Sequence, residues 1–375
     1  MRRLLSKARI ILLLFTVLLL LFSASIFTSC NPWMDWILRS GSGSDSESES
    51  EMLDLKKVFT SIQEAMEWLT SEPGGGSPGN PVPLAMKIPL GAMPSSEWDN
   101  FLIAIAATGK YVSLDLSDCS MSNNEFDPYN ANDIGQSNIV SLILPNQAQS
   151  IAPYSSSNAT FSYFNNLSYV SGNNIATIGY YAFWNLPSLG TVSFPKATYI
   201  DEGAFCGSSL VNANLPAATS IMNDVFINCT SLTSINFPEL TFIGGNAFEG
   251  CTALVSANLP KVSEIWNTAF AACTALTSVY IPAITEIWQN TFASTGTMDL
   301  TITMGAIPPL LYSDIFFGIS STKNVVVKIP DTTFVKAAYG FDDNYSGNYN
   351  NSSTGNWGAD FKDANNNIIL NYETY

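Results

Sequence analysis

The chain of 375 residues contains no histidine, and only 12% of its residues are charged. Without imidazole there is no Ser-His-Asp or Cys-His catalysis, no histidine-ligated zinc and no imidazole pH switch. Positive charge is scarce as well: 15 Lys+Arg stand against 31 Asp+Glu, a formal charge of −16. Part of that small positive complement, Arg2, Arg3, Lys7 and Arg9, lies before residue 30, where no acid balances it. So acidic a surface repels phosphate backbones and anionic lipid, which argues against nucleic acid as a partner. Phosphate-cradling glycine loops, EF-hand loops and paired C-x-x-C spacings are also missing, so no metal or other cofactor is expected. Asp127, Asn130, Asn132 and Asp133 match no calcium-loop spacing and read as a solvated turn.

The longest apolar run is at the start. Met1 to Arg9 is basic, Ile10 to Phe22 is apolar, and smaller residues lead to Thr28-Ser29-Cys30. This is the order of a secretory signal, placed at residues 1–29. Its end resembles a bacterial lipoprotein signal, which implies that Cys30 is lipidated, although Phe27 departs from the strictest form. The alternative is an uncleaved anchor helix, since residues 10–27 are just long enough to span a bilayer. On both readings the remainder is expected outside the cytoplasm, held at a membrane by its N-terminus. Residues 30–52 read as a flexible acidic tether, because the stretch SGSGSDSESESE has no apolar side chain and repeats like charges.

Residues 53–135 read as a small α+β cap. Leu55, Val58, Phe59, Ile62, Ala65, Met66 and Leu69 recur at helical spacing and predict an amphipathic helix. Val82 to Leu90 reads as a strand pushed toward a sheet edge by Pro83 and Pro89. Ser95 or Ser96 caps a second helix through Trp98, Phe101, Leu102 and Ile105, closed by Gly109. Tyr111 to Leu116 reads as another strand. Such a segment is suited to cover the apolar end of a stack of repeats.

From residue 136 to 299 the chain repeats. Phe161, Phe183, Phe205, Phe226, Phe248, Phe270 and Phe292 are spaced by 22 residues, with one spacing of 21. Ile178, Ile200, Ile221, Ile243, Ile265 and Ile287 each precede a phenylalanine by five residues. Pro195, Pro216, Pro238, Pro260 and Pro282 hold a third register, and Leu189, Leu210, Leu232, Leu254 and Leu276 a fourth. Several positions keeping step over more than a hundred residues define a repeat solenoid. In one unit Leu276, Val279 and Ile281 point inward along a short strand, and Pro282 ends its ladder for want of an N–H. One coil cannot bury such faces; stacked coils can. Beyond Phe292 the register dissolves. Leu300 to Met304 and Val325 to Ile329 read as last strands and Thr332 to Tyr339 as a closing helix, giving a C-terminal cap at 300–339. Residues 340–375 form an Asn/Gly-rich tail with a short strand expected at 368–370.

The phrase L-x-x-[VIA]-x-[FLI]-P, with I-x-x-x-[ATV]-F and C-T-[SA]-L, resembles the BspA-like leucine-rich-repeat family of bacterial surface proteins over about residues 136–340. The usual Asn or Cys after the strand is replaced by Ala197, Ala218, Leu240, Val262 and Ile284. The resemblance implies a leucine-rich-repeat solenoid with a role in adhesion to matrix proteins or other cells.

Candidate functional residues follow from register. Ser193, Asn214, Asn236, Asn258 and Tyr280 form an outward central row, flanked by Thr191, Asn212, Ser234, Ser256 and Ser278. That row is either a face for an extracellular protein or glycan, or an asparagine ladder stabilising the solenoid itself. Trp266 and Trp288, with Glu264 and Glu286 two residues before them, stack as a second patch, either a binding hot spot or partly buried packing. The two carboxylates, one coil apart, also define an alternative, a carbohydrate-binding or carbohydrate-active β-solenoid. No catalytic residue is otherwise apparent, and the expected protein is a non-enzymatic surface lipoprotein. Cys229, Cys251 and Cys273 keep the repeat register, whereas Cys206 and Cys119 do not. Their stacking makes disulfide dihedrals awkward, so buried reduced thiols are expected.

Overall fold

The computed structural model describes residues 57–129, 134–154, 160–161, 163–296, 299–307, 309–312, 314–318, 325–329 and 370–374. Within them each repeat becomes one coil carrying two short strands. The first strands form a parallel row: β1 (Val58–Phe59), β2 (Val82–Met86), β3 (Val112–Asp115), β5 (Ile139–Ile143), β7 (Tyr169–Ser171), β9 (Thr191–Ser193) and β11 (Asn212–Asn214). The row resumes with β13 (Ser234–Asn236), β15 (Ser256–Asn258), β17 (Ser278–Ile281), β19 (Leu300–Met304), β21 (Val325–Ile329) and β22 (Leu370–Thr374). The second strands, two residues each, build an unbroken nine-stranded sheet. Its members are β4 (Glu125–Phe126), β6 (Ser150–Ile151), β8 (Thr177–Ile178), β10 (Tyr199–Ile200), β12 (Ser220–Ile221), β14 (Phe242–Ile243), β16 (Glu264–Ile265), β18 (Glu286–Ile287) and β20 (Leu310–Leu311).

The repeated apolar positions account for the core. The isoleucines of the second strands and the leucines before the first strands are fully buried, and one hydrophobic cluster runs from Phe59 to Val327. Phe183, Phe205, Phe226, Phe248 and Phe270 stack ring on ring at 5.2–5.3 Å, within 9° of parallel. Burying a phenylalanine is worth about 1.5–3 kcal/mol, and each ring here is buried only because its neighbours are present. The column extends past the limit of the repeat register: Phe316 stacks on Phe292 at 5.7 Å. At the other end Phe161 meets Phe126 at 6.4 Å, and Phe126 meets Trp98 at 6.0 Å.

The turn around each phenylalanine has a backbone signature. Two residues before and two after it, φ is positive: Asp224 and Asn228, Asn246 and Gly250, Asn290 and Ser294. Left-handed backbone favours Gly, Asn and Asp, which explains most of these choices. Thr268 and Ala272 occupy the same two positions and are strained there. The turns bond coil to coil, with Phe205 N donating to Val225 O and Gly207 N to Ile227 O. A hydroxyl ladder runs beside the second sheet. Thr219, Thr241, Ser263 and Thr285 each donate to the backbone carbonyl one coil back, at Thr198, Thr219, Thr241 and Ser263.

The first coils return by helices. Helix α1 (Ile62–Ser71) is capped by Ser61, whose side chain accepts from Glu64 N, and α2 (Ser96–Thr108) by Ser95, accepting from Trp98 N. Gly109, at φ 66°, ends α2. The helical spacing seen from Leu55 onward thus starts late: Val58 and Phe59 form β1 instead, paired with Ala85 and Met86, and Ser61 sets the helix start. Pro83 lies inside a strand that has neighbours on both sides. Val82 N donates toward β3, so position 83 faces β1, which reaches only Ala85. There the proline costs no ladder bond. The helix-bearing strands are parallel and continuous with the repeat row.

A terminal strand is found at Leu370–Thr374, parallel to β21, and residues 368 and 369 of the expected strand lie outside the described residues. The signal, the tether, Cys30 and the expected helix at 332–339 lie outside the described residues. Among the described residues no helix is long and apolar enough to cross a membrane.

Candidate interaction face

The first-strand row places alternate side chains in the core and in solvent, because side chains on a strand alternate with period two. Val192, Ile235, Ala257 and Val279 point inward. Their neighbours Asn214, Asn236, Asn258 and Tyr280 are exposed, and Ser193 is half-buried. Strand register aligns Ser193 with Asn214, Asn236 with Asn258, and Asn258 with Tyr280. Two rungs of an amide ladder exist: Asn214 Nδ2 donates to Ser193 Oγ at 2.9 Å, and Asn258 Nδ2 to Asn236 Oδ1 at 2.7 Å. The strand row is interrupted between β11 and β13. The ladder and the exposed face therefore coexist on the same residues.

The second patch is also assembled. Trp266 and Trp288 meet at 5.8 Å, flanked by Phe242 on Trp266 at 5.2 Å and Tyr312 on Trp288 at 4.4 Å. Sequence reasoning missed both flanks, since Phe242 precedes its isoleucine and Tyr312 lies beyond the repeat register. Trp266 is 37% exposed and donates its indole N–H to Glu264 Oε1 at 2.6 Å. Trp288 is half-buried, and its Nε1 is buried without an acceptor. An unmade hydrogen bond of this kind costs about 1–3 kcal/mol. Glu264 and Glu286 are direct partners on β16 and β18, so the two carboxylates do stand one coil apart.

A cleft that sequence reasoning did not find lies at the start of the repeats. About 500 Å³ in volume, it is lined by the amides of Asn124, Asn146, Gln147, Gln149 and Asn174 together with Lys196. Lys196 Nζ donates to Asn174 Oδ1 at 2.6 Å. Its residues come from separate coils, so only the register of the second sheet brings them together.

The cysteines among the described residues, Cys119, Cys206, Cys229, Cys251 and Cys273, are free thiols. Cys229, Cys251 and Cys273 are buried, and each Sγ donates to a backbone carbonyl of the preceding turn, at Phe205, Phe226 and Phe248. Burial pushes the Cys229 and Cys273 thiols up to about 12 and raises Cys251 well above its ordinary value. Such thiols are poor nucleophiles and poor metal ligands. Among the described residues no cluster of three or more Cys, Asp or Glu could hold a metal ion.

The geometry, parallel in-register coils with a stacked phenylalanine column, is that of a leucine-rich-repeat solenoid. The chain belongs to the family described as BspA type leucine rich repeat region, which matches residues 134–217 and 198–323 in 6 copies. It is similar in fold to the leucine-rich-repeat protein TpLRR of T. pallidum at 24% identity, over 48% of this chain and 76% of that one, with a TM-score of 0.36. A leucine-rich-repeat protein from Bacteroides ovatus is 17% identical over 71% of this chain and 68% of its own, with a TM-score of 0.35. The pneumococcal vaccine antigen PcpA is 12% identical over 68% and 76%, with a TM-score of 0.33. No curated protein matches the chain.

Proposed function

We propose that this protein is an exported lipoprotein, anchored through Cys30, that binds an extracellular protein or glycan on its repeat face and does no chemistry of its own. In this reading residues 1–29 are the signal and 30–52 the tether. Residues 53–135 and 300–339 close the two ends of the repeats at 136–299, and 340–375 form a tail. The observation that carries the proposal is the outward row from Ser193 to Tyr280: polar, in register within each of two runs, Ser193 with Asn214 and Asn236 through Asn258 to Tyr280, and exposed from Asn214 onward. Repeat proteins bind through such extended faces. Tyr280, 40% exposed, supplies an aromatic anchor on that row, and Trp266 one on the separate patch beside the second sheet, the kind of residue that dominates binding energy.

The test is retention of the purified protein on immobilised matrix proteins and on cell-wall glycan. Retention on at least one is expected; retention on none contradicts the proposal. Incorporation of labelled palmitate, lost in Cys30→Ala, tests the anchor separately. A second reading, hydrolysis of a glycan, is favoured by the in-register pair Glu264 and Glu286. It requires turnover that Glu264→Gln abolishes.

A further inference from the structure

One coil differs from its neighbours on the turn face. Tyr180, Tyr181 and Trp184 surround Phe183, and Tyr154 of the preceding coil closes over them. The following coils carry Glu202, Asn223 and Gly245 at the position of Tyr180, and Cys206, Ile227 and Glu249 at that of Trp184. The four aromatic side chains line a cleft of about 200 Å³. Their rings stand steeply to one another: 86° between Tyr154 and Trp184, 77° between Tyr181 and Trp184, and 65° between Tyr180 and Tyr181. Tyr180 is 39% and Trp184 46% exposed, so the cleft is accessible from solvent.

Two glycines make this assembly possible. A Cβ at Gly203 would lie 2.4 Å from the Tyr181 ring, and one at Gly179 would lie 2.6 Å from the backbone of Pro153, next to Tyr154. Tyr181 itself has φ 50°, in the left-handed position that later coils fill with Gly203, Asp224 and Asn246. A bulky residue is strained there, and this coil keeps one where asparagine or glycine would be easier. The carboxylates of Asp224 and Glu202 stand near Tyr181, and the Glu202 backbone carbonyl accepts from Tyr181 N at 3.0 Å. Burial pushes the Tyr181 phenol up to about 12, with Cys206, Asp224, Tyr180 and Glu202 adding to the rise in that order.

We propose that Tyr154, Tyr180, Tyr181 and Trp184 form an aromatic cage for a quaternary ammonium group. Ring faces are electron-rich and attract a cation placed over them, most strongly where several rings converge and water is excluded. The volume falls below that of clefts that enclose whole drug-sized molecules, and suits a trimethylammonium head group. A primary ammonium is strongly hydrated and satisfied by carboxylate hydrogen bonds; a methylated one has no N–H to satisfy and fits a wall of rings. A sugar would stack on one flat ring face with polar groups around its rim, whereas these walls are mutually inclined. The chemistry could be presented by free choline or by a phosphocholine lipid.

Calorimetric titration of the full-length protein with choline chloride, at constant ionic strength, tests the cage. Saturable one-to-one binding is expected, weakened about tenfold or more in Trp184→Ala and in Tyr181→Asn. Tyr181→Asn relieves the strained backbone, so an unchanged or raised melting temperature separates loss of the site from loss of the fold. Dimethylbutanol, the uncharged carbon isostere of choline, is expected to bind at least about tenfold more weakly. Phosphatidylcholine vesicles distinguish the source. Sedimentation with them beyond that with phosphatidylglycerol vesicles, lost in Trp184→Ala, assigns the lipid; choline binding without it assigns the soluble ligand. Absence of saturable choline binding, equal binding of dimethylbutanol, or undiminished binding by a folded Tyr181→Asn variant overturns the proposal.

Discussion

The first two returns and the later ones solve the same problem differently. In α1 and α2 the backbone is satisfied within the helix, with Ser61 and Ser95 capping the starts and Lys110 Nζ bonding Glu72 O and Gly74 O beyond the end of α1. In the repeats the return is a turn that bonds itself only in part: Ile227 N donates to Asp224 O and Cys229 N to Phe226 O within it, whereas Phe226 N and Asn228 N donate to Ala247 O and Glu249 O of the next coil. A helical coil therefore needs no neighbour on its outer side for its backbone. A repeat coil needs one for its backbone, for its phenylalanine and, at Cys229, Cys251 and Cys273, for its thiol. The difference explains why helices stand at the N-terminal end of the described solenoid and why the interior can repeat with little variation.

Several changes would break or sharpen that contrast, taken here from the largest expected effect to the smallest. Phe226→Ala removes a ring stacked on both sides and is expected to cost about 3–5 kcal/mol in urea unfolding. Amide exchange should rise in the coils on both sides of it; a rise confined to Phe226's own coil would leave the coupling unsupported. Alkali provides the next test. The three buried thiols have folded pKa values above the ordinary 9.0, reaching about 12 at Cys229 and Cys273. Their contribution is fully present below about pH 9 and is lost as pH rises toward 12. The melting temperature should fall over that window, and fall less in Cys229→Ala/Cys251→Ala/Cys273→Ala; identical slopes would refute it.

Smaller effects separate the two kinds of return. Ser95→Ala removes the cap of α2 and is expected to cost about 1 kcal/mol, with exchange rising mainly in the helix-bearing coils. Ala272→Gly should stabilise the protein by about 0.5–1 kcal/mol, because φ is 56° there and the alanine Cβ is strained. Urea unfolding reads both. A loss in Ala272→Gly would mean that flexibility of the unfolded chain outweighs relief of the turn.

How far the sequence could be read depended on whether a residue's partner lay at a fixed offset. The phenylalanine, isoleucine and leucine registers announced the solenoid because each residue packs on its own equivalent one unit away. Phe316 escaped that reading: it lies 24 residues after Phe292, yet takes the next place in the column. The apolar spacing at Val58 and Phe59 suited a helix, and only the pairing with β2 made them a strand. The row from Ser193 to Tyr280 and the pair Trp266 and Trp288 were visible because strand alternation fixes them. Phe242, Tyr312 and the cage around Trp184 were not, because their members occupy different positions within successive coils. The alternation of left-handed residues around each phenylalanine was present in the recurring Asn, Asp and Gly. Its meaning depends on φ, which composition does not carry.

The proposed binding face is tested most directly by Asn236→Ala/Asn258→Ala/Tyr280→Ala, assayed on whichever immobilised matrix protein or glycan retains the unaltered protein. These side chains are exposed, so the melting temperature should change little while retention falls about tenfold or more. Undiminished retention by the folded triple variant would contradict a partner site on the repeat face.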